Sequence, residues 1–381
     1  MKQRVFRQIV RMFCLGTLLA GCGTAQETAR QQEFPWHFVR VAELETDHPS
    51  ALVGNLEYNG AAIGPDGSVY VATDSWKGVH IFDRTGAWVR NLGGEGHGPG
   101  EFQWVRAVAA SPDGQLALYD EIGRISLFTS DGAFSHSFRY QIRSDLRTSL
   151  SFSGSRGFWT MNRPLSAPDP SESGIREDLI ALSSHGDTLA IHPIPDSVPE
   201  MDIGRVSSAN PAEGAPKWTV SPDGFAWLFT PAGEHLVRLS PTGAEADSIA
   251  VQTYPPVFTE AEWARIIEAE TAVMREVDFL NDSIEPTIER LEEIRDRWSP
   301  VQRLWWVDEH GLLVDRMTPL YPSIQRGPWK YAALTSDGFM TAEIEGPAGL
   351  LTAAHGYALT VRSEWLELPE ITLWRLEPVQ R

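Results

Sequence analysis

Short apolar runs separated by turn residues cover most of the chain after residue 60. The runs Val69-Tyr70-Val71-Ala72 and Val79-His80-Ile81-Phe82 are apolar on both alternating faces, the pattern of a small sheet covered on both sides. The turn Gly64-Pro65-Asp66-Gly67 precedes the first of them, and it returns as Ser111-Pro112-Asp113-Gly114 and Ser221-Pro222-Asp223-Gly224. Pro65 and Pro112 are 47 positions apart (112 minus 65). A strand, a Pro-Asp-Gly turn, further strands and a glycine corner recurring at that spacing describe a repeat array rather than a single-core domain.

The first repeat predicts strands at 61–64, 68–73, 79–83 and 87–92, and the second at 105–110, 115–119, 124–129 and 133–140. A weaker third repeat places them at 148–152, 158–162, 178–183 and 187–193, with an insertion at 163–177. The fourth follows a loop at 196–216 and reads 217–221, 225–230, 234–239 and 244–251. The β-period then lapses across 258–299. There Trp263, Ile267, Val273, Val277 and Leu280, then Ile284, Ile288, Leu291, Ile294 and Trp298 are spaced mostly by three or four, which predicts two amphipathic helices. Thr259 and Glu262 form a capping-box pair at the start of the first. A fifth repeat resumes at 301–307, 312–317, 330–335 and 339–345, with an insertion rich in proline and aromatic residues at 319–329. The sixth has only three strand-like runs, 350–354, 357–362 and 370–375. The missing outer strand is the orphan run 38–45, which would close the array into a ring and remove its free sheet edges.

The first residues belong to a different pattern. Residues 1–11 carry Lys2, Arg4, Arg7 and Arg11 and no acid, 12–20 are a short apolar run, and Leu19-Ala20-Gly21-Cys22 follows. That is an export signal over 1–21, its apolar run too short to span a bilayer. Residues 22–36 read as a flexible tether and 37–381 as the folded body. Leu19-Ala20-Gly21-Cys22 resembles the lipobox of bacterial lipoproteins, which implies cleavage before Cys22 and diacylation of its thiol. The other of the two cysteines, Cys14, would leave with the signal, so neither a disulfide nor a cysteine nucleophile is available. Four cations and no acid also leave, taking the net charge from -19 to -23. A body this acidic repels phosphate backbones and anionic headgroups, so nucleic acid is not an expected partner and the lipid is the expected membrane attachment.

A more specific signal lies in Gly96-His97-Gly98-Pro99-Gly100-Glu101-Phe102, the run 108–110, the Pro-Asp-Gly turn, a strand ending in Asp120, and Arg124-Ile125-Ser126-Leu127-Phe128. This stretch resembles the NHL repeat and the bacterial six-bladed β-propeller lipoproteins related to it. The resemblance implies an all-β, six-bladed propeller of NHL-like repeats with an α-helical insertion. It implies no single reaction, because propellers host binding modules, lyases and lactonases alike.

The glycine corner is not a phosphate loop: Pro99 stands where a G-x-G-x-x-G motif needs glycine, no lysine is placed for a P-loop, and no helix follows. The ten histidines lack H-x-H or H-E-x-x-H spacing, and no EF-hand loop occurs, so no metal or other cofactor is expected from local motifs. A divalent metal assembled from separate blades in the central channel would leave no such spacing. His97, His310 and His355 read as solvent-facing turn residues. No G-x-S-x-G elbow occurs, and Asp74 and Asp120, which end matching strands, read as turn-bonding acids rather than catalytic ones. Trp88, Trp227, Trp305 and Trp374 fall in strands and read as filler between blades.

In a ring of four-stranded meanders, connections between strands one and two and between three and four fall on one face, and the remaining ones on the other. Here the first set is tight and the second holds every long insertion, which is where function usually resides. The expected ligand-binding face therefore carries Trp76, Lys77, His97, Arg163, Tyr321, Arg326, Trp329 and Trp365, with Cys22 as the lipidation site. The reading is a monomeric, lipid-anchored protein of the cell envelope that binds a ligand or partner protein through this face, without evident chemistry. The alternative is a metal-dependent propeller lyase or lactonase-type hydrolase with its site in the channel.

Overall fold

The computed structural model describes residues 33–48, 60–73, 77–142, 150–154, 157–162, 178–194, 217–230, 235–243, 245–253, 258–276, 284–295, 301, 303–308, 311–316, 329–335, 338–362 and 368–379. After the opening strand β1 (Trp36–Glu43), the first five blades follow in chain order. Blade I is β2 (Ala61–Ile63), β3 (Val69–Thr73), β4 (Gly78–Phe82) and β5 (Trp88–Gly93). Blade II is β6 (Val105–Ala110), β7 (Leu116–Asp120), β8 (Arg124–Phe128) and β9 (Phe134–Arg139). Blade III is β10 (Leu150–Phe152), β11 (Gly157–Asn162), β12 (Asp178–Ser183) and β13 (Thr188–Pro193). Blade IV is β14 (Lys217–Val220), β15 (Ala226–Thr230), β16 (His235–Leu239) and β17 (Glu245–Ala250). Helices α1 (Glu260–Glu276) and α2 (Ile284–Ile294) intervene before blade V, which is β18 (Arg303–Asp308), β19 (Gly311–Asp315), β20 (Trp329–Leu334) and β21 (Ile344–Gly346). Blade VI contains β22 (Leu350–Ala354), β23 (Tyr357–Arg362) and β24 (Glu370–Pro378), with β1 as its outermost strand in the order β1-β24-β23-β22. The molecule is an all-β, six-bladed propeller whose N-terminal strand completes the last blade.

The two-faced apolar strands follow from that geometry, because every sheet meets two neighbours. Val69 and Val71 pack toward blade VI, while Tyr70 and Ala72 on the opposite side of β3 pack toward blade II. Six apolar clusters fill the six wedges between adjacent blades. Trp88, Trp227, Trp305 and Trp374 lie partly buried at these wedges, as interblade filler should.

Polar contacts join the blades along the outside of the ring. The outer strand of one blade donates to the carbonyl of the turn between strands three and four of the next. Arg90 reaches Asp131 O at 2.7 Å, and the ring nitrogens of His136 and His192 contact Ser184 O at 2.9 Å and Ser240 O at 3.2 Å. Past the ends of β17 and β1 the backbone does the same work: Gln252 N bonds Gly338 O at 2.8 Å and Glu45 N bonds Gly86 O at 3.0 Å. Gly86 has φ +86°, and a Cβ there would stand 2.1 Å from Glu43 O, so only glycine allows blade I to approach the closing strand.

Thr259 caps α1 as the sequence predicts, with Glu262 N donating to its Oγ1 and its own N donating back to Glu262. Among the described residues Trp263, Ile266 and Leu291 form a cluster with Phe258 and Ile267 that joins the two helices, and Trp263 Nε1 donates to Glu292 on α2 at 2.8 Å. The described tie to the ring is polar: Lys330 of β20 pairs with Glu262 at 2.9 Å and approaches Glu343 at 3.7 Å, and Glu343 also pairs with the buried Arg316 at 2.8 Å. Replacing 259–298 with a Gly/Ser linker is therefore expected to remove the helical circular-dichroism signal and keep the β-signal. The stability loss should be about 1 kcal/mol, the size of the lost ion pair. A cooperative loss of the β-signal in that variant would show the hairpin to be part of the core.

Candidate functional site

The strand ends from which the five longest connections leave, at 44–60, 163–177, 194–216, 251–302 and 316–328, all lie on one face of the ring. The opposite face is built from short turns closed by their own hydrogen bonds, such as Gly114 N to Ser111 O at 3.0 Å and Gly224 N to Ser221 O at 2.8 Å.

Of the residues expected on the decorated face, Trp76, Arg163, Tyr321, Arg326 and Trp365 lie outside the described residues, as do Cys22, Asp74 and His310. Lys77 and His97 are on it. Lys77 sits in the connection between β3 and β4 at φ +57°, with its ammonium 5.1 Å from the centre of the Trp104 ring. The Arg106 guanidinium lies 4.0 Å from the same ring and pairs with Glu121 at 3.1 Å. Two cations thus share one partly exposed indole where blades I and II meet, an arrangement that draws on the ring quadrupole. The His97 side chain is exposed, and its carbonyl accepts from Arg124 at 3.0 Å.

Trp329 is a correction. It is the first residue of β20 rather than part of a loop, it is 2% exposed, and it packs with Trp36, Tyr331 and Leu376 in the wedge between blades V and VI. Its ring is core filler and presents no surface to a ligand.

The glycine corner holds its own shape. Gly98 N donates to the Glu101 carboxylate at 2.8 Å and Gly96 N to Phe102 O at 3.1 Å, so these amides point inward and leave no anion cradle. Asp120 is fully buried and accepts from Gln103 N at 3.0 Å and Trp104 N at 3.2 Å, the turn-bonding role its position predicts.

The central channel is walled by the first strand of every blade and encloses a cavity of about 220 Å³. Ala61, Val108, Leu150, Val220, Val307 and Ala353 are among its lining residues. Pro112, Pro222 and His355 mark its end on the tight-turn face. His355 is a second correction. It is half-buried at φ +54°, and burial holds its imidazole below the usual range against the opposing charge of Asp66.

Near the decorated end of the channel wall stands a group that no local motif announces. Lys217 opens β14, and Thr219, two residues on, accepts a hydrogen bond from Trp306 N of blade V at 3.0 Å. Alternation places Lys217 on that same side of the strand. Burial first, and then the Arg303 charge, pull its amine down from 10.5 to about 8, with Asp315 opposing. Arg303 opens the inner strand of blade V, lies directly across from Asp315 in the β18–β19 ladder, and donates to Leu350 O of blade VI at 3.0 Å. Asp315 is fully buried and pairs in register with Tyr331, whose hydroxyl is pushed well above its ordinary value by burial and by Asp315. Lys217 and Arg303 thus open adjacent inner strands, with the buried Asp315 directly across from Arg303. Among the described residues no three His, Cys, Asp or Glu side chains converge as a metal donor set.

No family profile matches the chain, and no curated protein matches it in sequence. Among solved structures, a member of the DUF4221 family from Bacteroides vulgatus is similar over 91% of this chain and 100% of its own, at 10% identity and TM-score 0.52. A Bacteroides fragilis chain described as a candidate exported protein covers 91% and 98% at 10% identity and TM-score 0.47. Regucalcin from Agrobacterium tumefaciens, a calcium-binding protein, covers 91% and 96% at 14% identity and TM-score 0.42. At 10% identity the likeness to the DUF4221 member is one of fold.

Proposed function

We propose that this protein is a lipid-anchored, extracytoplasmic propeller that binds a ligand or partner through its decorated face, without chemistry of its own. The observation that carries the reading is the asymmetry of the ring. One face is closed by tight, self-bonded turns, whereas the other gathers the long connections, the Lys77–Trp104–Arg106 stack and the Lys217–Arg303 pair. The anchor rests on the basic start of the chain and on Leu19-Ala20-Gly21-Cys22, and no described helix is long and apolar enough to cross a membrane. The metal-dependent alternative finds no donor set among the described residues.

The test places a photo-crosslinking amino acid at position 77 on the decorated face and, separately, at position 113 on the other, in intact cells. Adducts from 77 and none from 113 are expected. Equal adducts from both positions, or none from either, would overturn the binding-face reading. In the same cells the mature chain should begin at an acylated Cys22, and Cys22→Ser should release it unlipidated. A mature chain that starts elsewhere, or carries no acyl group, removes the anchor.

A further inference from the structure

The chain enters the ring at a fixed point. Phe34 is buried in the wedge between blades V and VI, its ring 5.5 Å from that of Trp36 and 6.3 Å from that of Phe38. Beside it Val379 N donates to Pro35 O at 2.9 Å. The face on which this point lies follows from β1. Trp36 stands opposite Pro378 and Phe38 opposite Leu376, and Leu376 N donates to Gly356 O at 2.8 Å. Gly356 lies in the tight turn between β22 and β23. The strand therefore starts on the tight-turn face and runs to the decorated one, where Glu43 faces Thr372 near the connection 363–369.

Twelve residues (34 minus 22) separate Cys22 from Phe34. A chain of that length spans about 20 Å when relaxed and about 40 Å at full extension. The ring is about 20 Å thick, the length of a typical strand. A lipid at Cys22 is thus reached with slack from the tight-turn face, whereas laying the decorated face on the bilayer takes the tether round the rim and uses up that slack. Charge pulls the other way, and weakly. Asp66, Asp113, Asp131 and Asp223 stand in turns of the tight face, but their repulsion from anionic headgroups is screened beyond about 8 Å. Lys77 on the decorated face is worth about 1 kcal/mol at such a surface, and Arg106 is already paired with Glu121.

We infer that the tight-turn face is the membrane side of the anchored protein and that the decorated face looks away from the bilayer, so its partner is a water-soluble molecule and not a lipid of the same membrane. This rests on the anchor at Cys22 proposed above, and it names the kind of partner the decorated face can meet.

Cys22 is the only cysteine left once Cys14 departs with the signal, so a maleimide lipid can be coupled there to the otherwise complete mature chain. A fluorescent amino acid is placed at Ser130, exposed in the turn between β8 and β9, or at His97, exposed on the decorated face. The coupled protein is bound to phosphatidylcholine vesicles containing a rhodamine-labelled lipid, and energy transfer to the rhodamine is measured. Transfer from 130 should exceed that from 97 by about twofold or more, since the two faces are separated by the thickness of the ring. Arg84 and Glu95, also exposed on the tight and decorated faces, give a second pair of positions with the same expected order. In Cys22→Ser with His97→Cys, anchored through 97, labels at 84 and 95 should reverse that order. The inference is overturned if the decorated-face labels transfer as strongly as the tight-face ones, or if the order stays the same when the anchor is moved to 97. Because the lipid is attached chemically, neither result depends on acylation in the cell, which mass spectrometry of the mature chain decides separately.

Discussion

A chain starting at residue 46 is expected to lose its closed ring and self-associate, while one starting at residue 33 should stay monomeric and unfold like the unlipidated Cys22→Ser protein. The difference lies in β1. Its residues pair with β24 from Trp36↔Pro378 to Glu43↔Thr372, so deletion bares the edge of β24, and an unpaired edge is a template for another chain. Two wedges are opened at once. Phe34 and Trp36 belong to the cluster between blades V and VI, and Leu44 to the one between VI and I. Trp36 is 1% exposed, and truncating a tryptophan buried that fully costs about 3–5 kcal/mol, so Trp36→Ala should lower the denaturation midpoint without opening the ring. Light scattering and chemical denaturation of the two deletions and of Trp36→Ala settle the matter. A chain starting at residue 46 that stays monomeric and unfolds like the parent would mean that blade VI closes by its three other strands.

Much of this was legible in the sequence because the repeat is local. The Pro-Asp-Gly turns, the two-faced runs of β3 and β4, the Thr259–Glu262 cap and the surplus strand near the start each announce themselves within a few residues. Six blades and their closure follow from these. The site is legible only in part because its determinants are not local. Lys217 heads an unremarkable run, Lys-Trp-Thr-Val, and its depressed basicity comes from burial and then from the charge of Arg303 on the next blade, with Asp315 opposing. Trp329 follows a proline-rich insertion and reads as loop, yet register against Gly346 draws it into a wedge. The helical stripe implies a partner surface but not which one, and among the described residues Leu291 of α2 meets Trp263 and Ile266 of α1. His136 and His192, which carry no spacing motif, bridge successive blades because outer strands recur at matching radii, and only the closed ring brings them to their acceptors.

Lys217 also makes the folded state respond to alkali in a way that isolates it. Its proton leaves the folded protein near pH 8 and the unfolded chain near 10.5. Below pH 8 both states hold the proton, and the cost of enclosing the charge is fully present. Between 8 and 10.5 the unfolded state binds more protons, so stability rises with pH and the cost is progressively relieved. A displacement of that size corresponds to at most about 3 kcal/mol, at 1.36 kcal/mol per unit. Tyr70, Tyr119 and Tyr331 are all raised above their ordinary value by burial. They hold protons in the folded state that the unfolded chain gives up, so they lower stability from about pH 10 upward. His355 and the shifted carboxylates Asp83, Asp131, Glu260 and Glu262 act on the acid side of neutrality. Among the described residues the window from pH 8 to 10 is therefore that of Lys217. Urea denaturation across it should show the parent gaining stability. Lys217→Met should be more stable than the parent by about 1–3 kcal/mol at pH 7 and flat from 8 to 10. A parent that shows no rise in this window, or a methionine variant less stable than the parent at pH 7, would place Lys217 in an environment that already balances its charge.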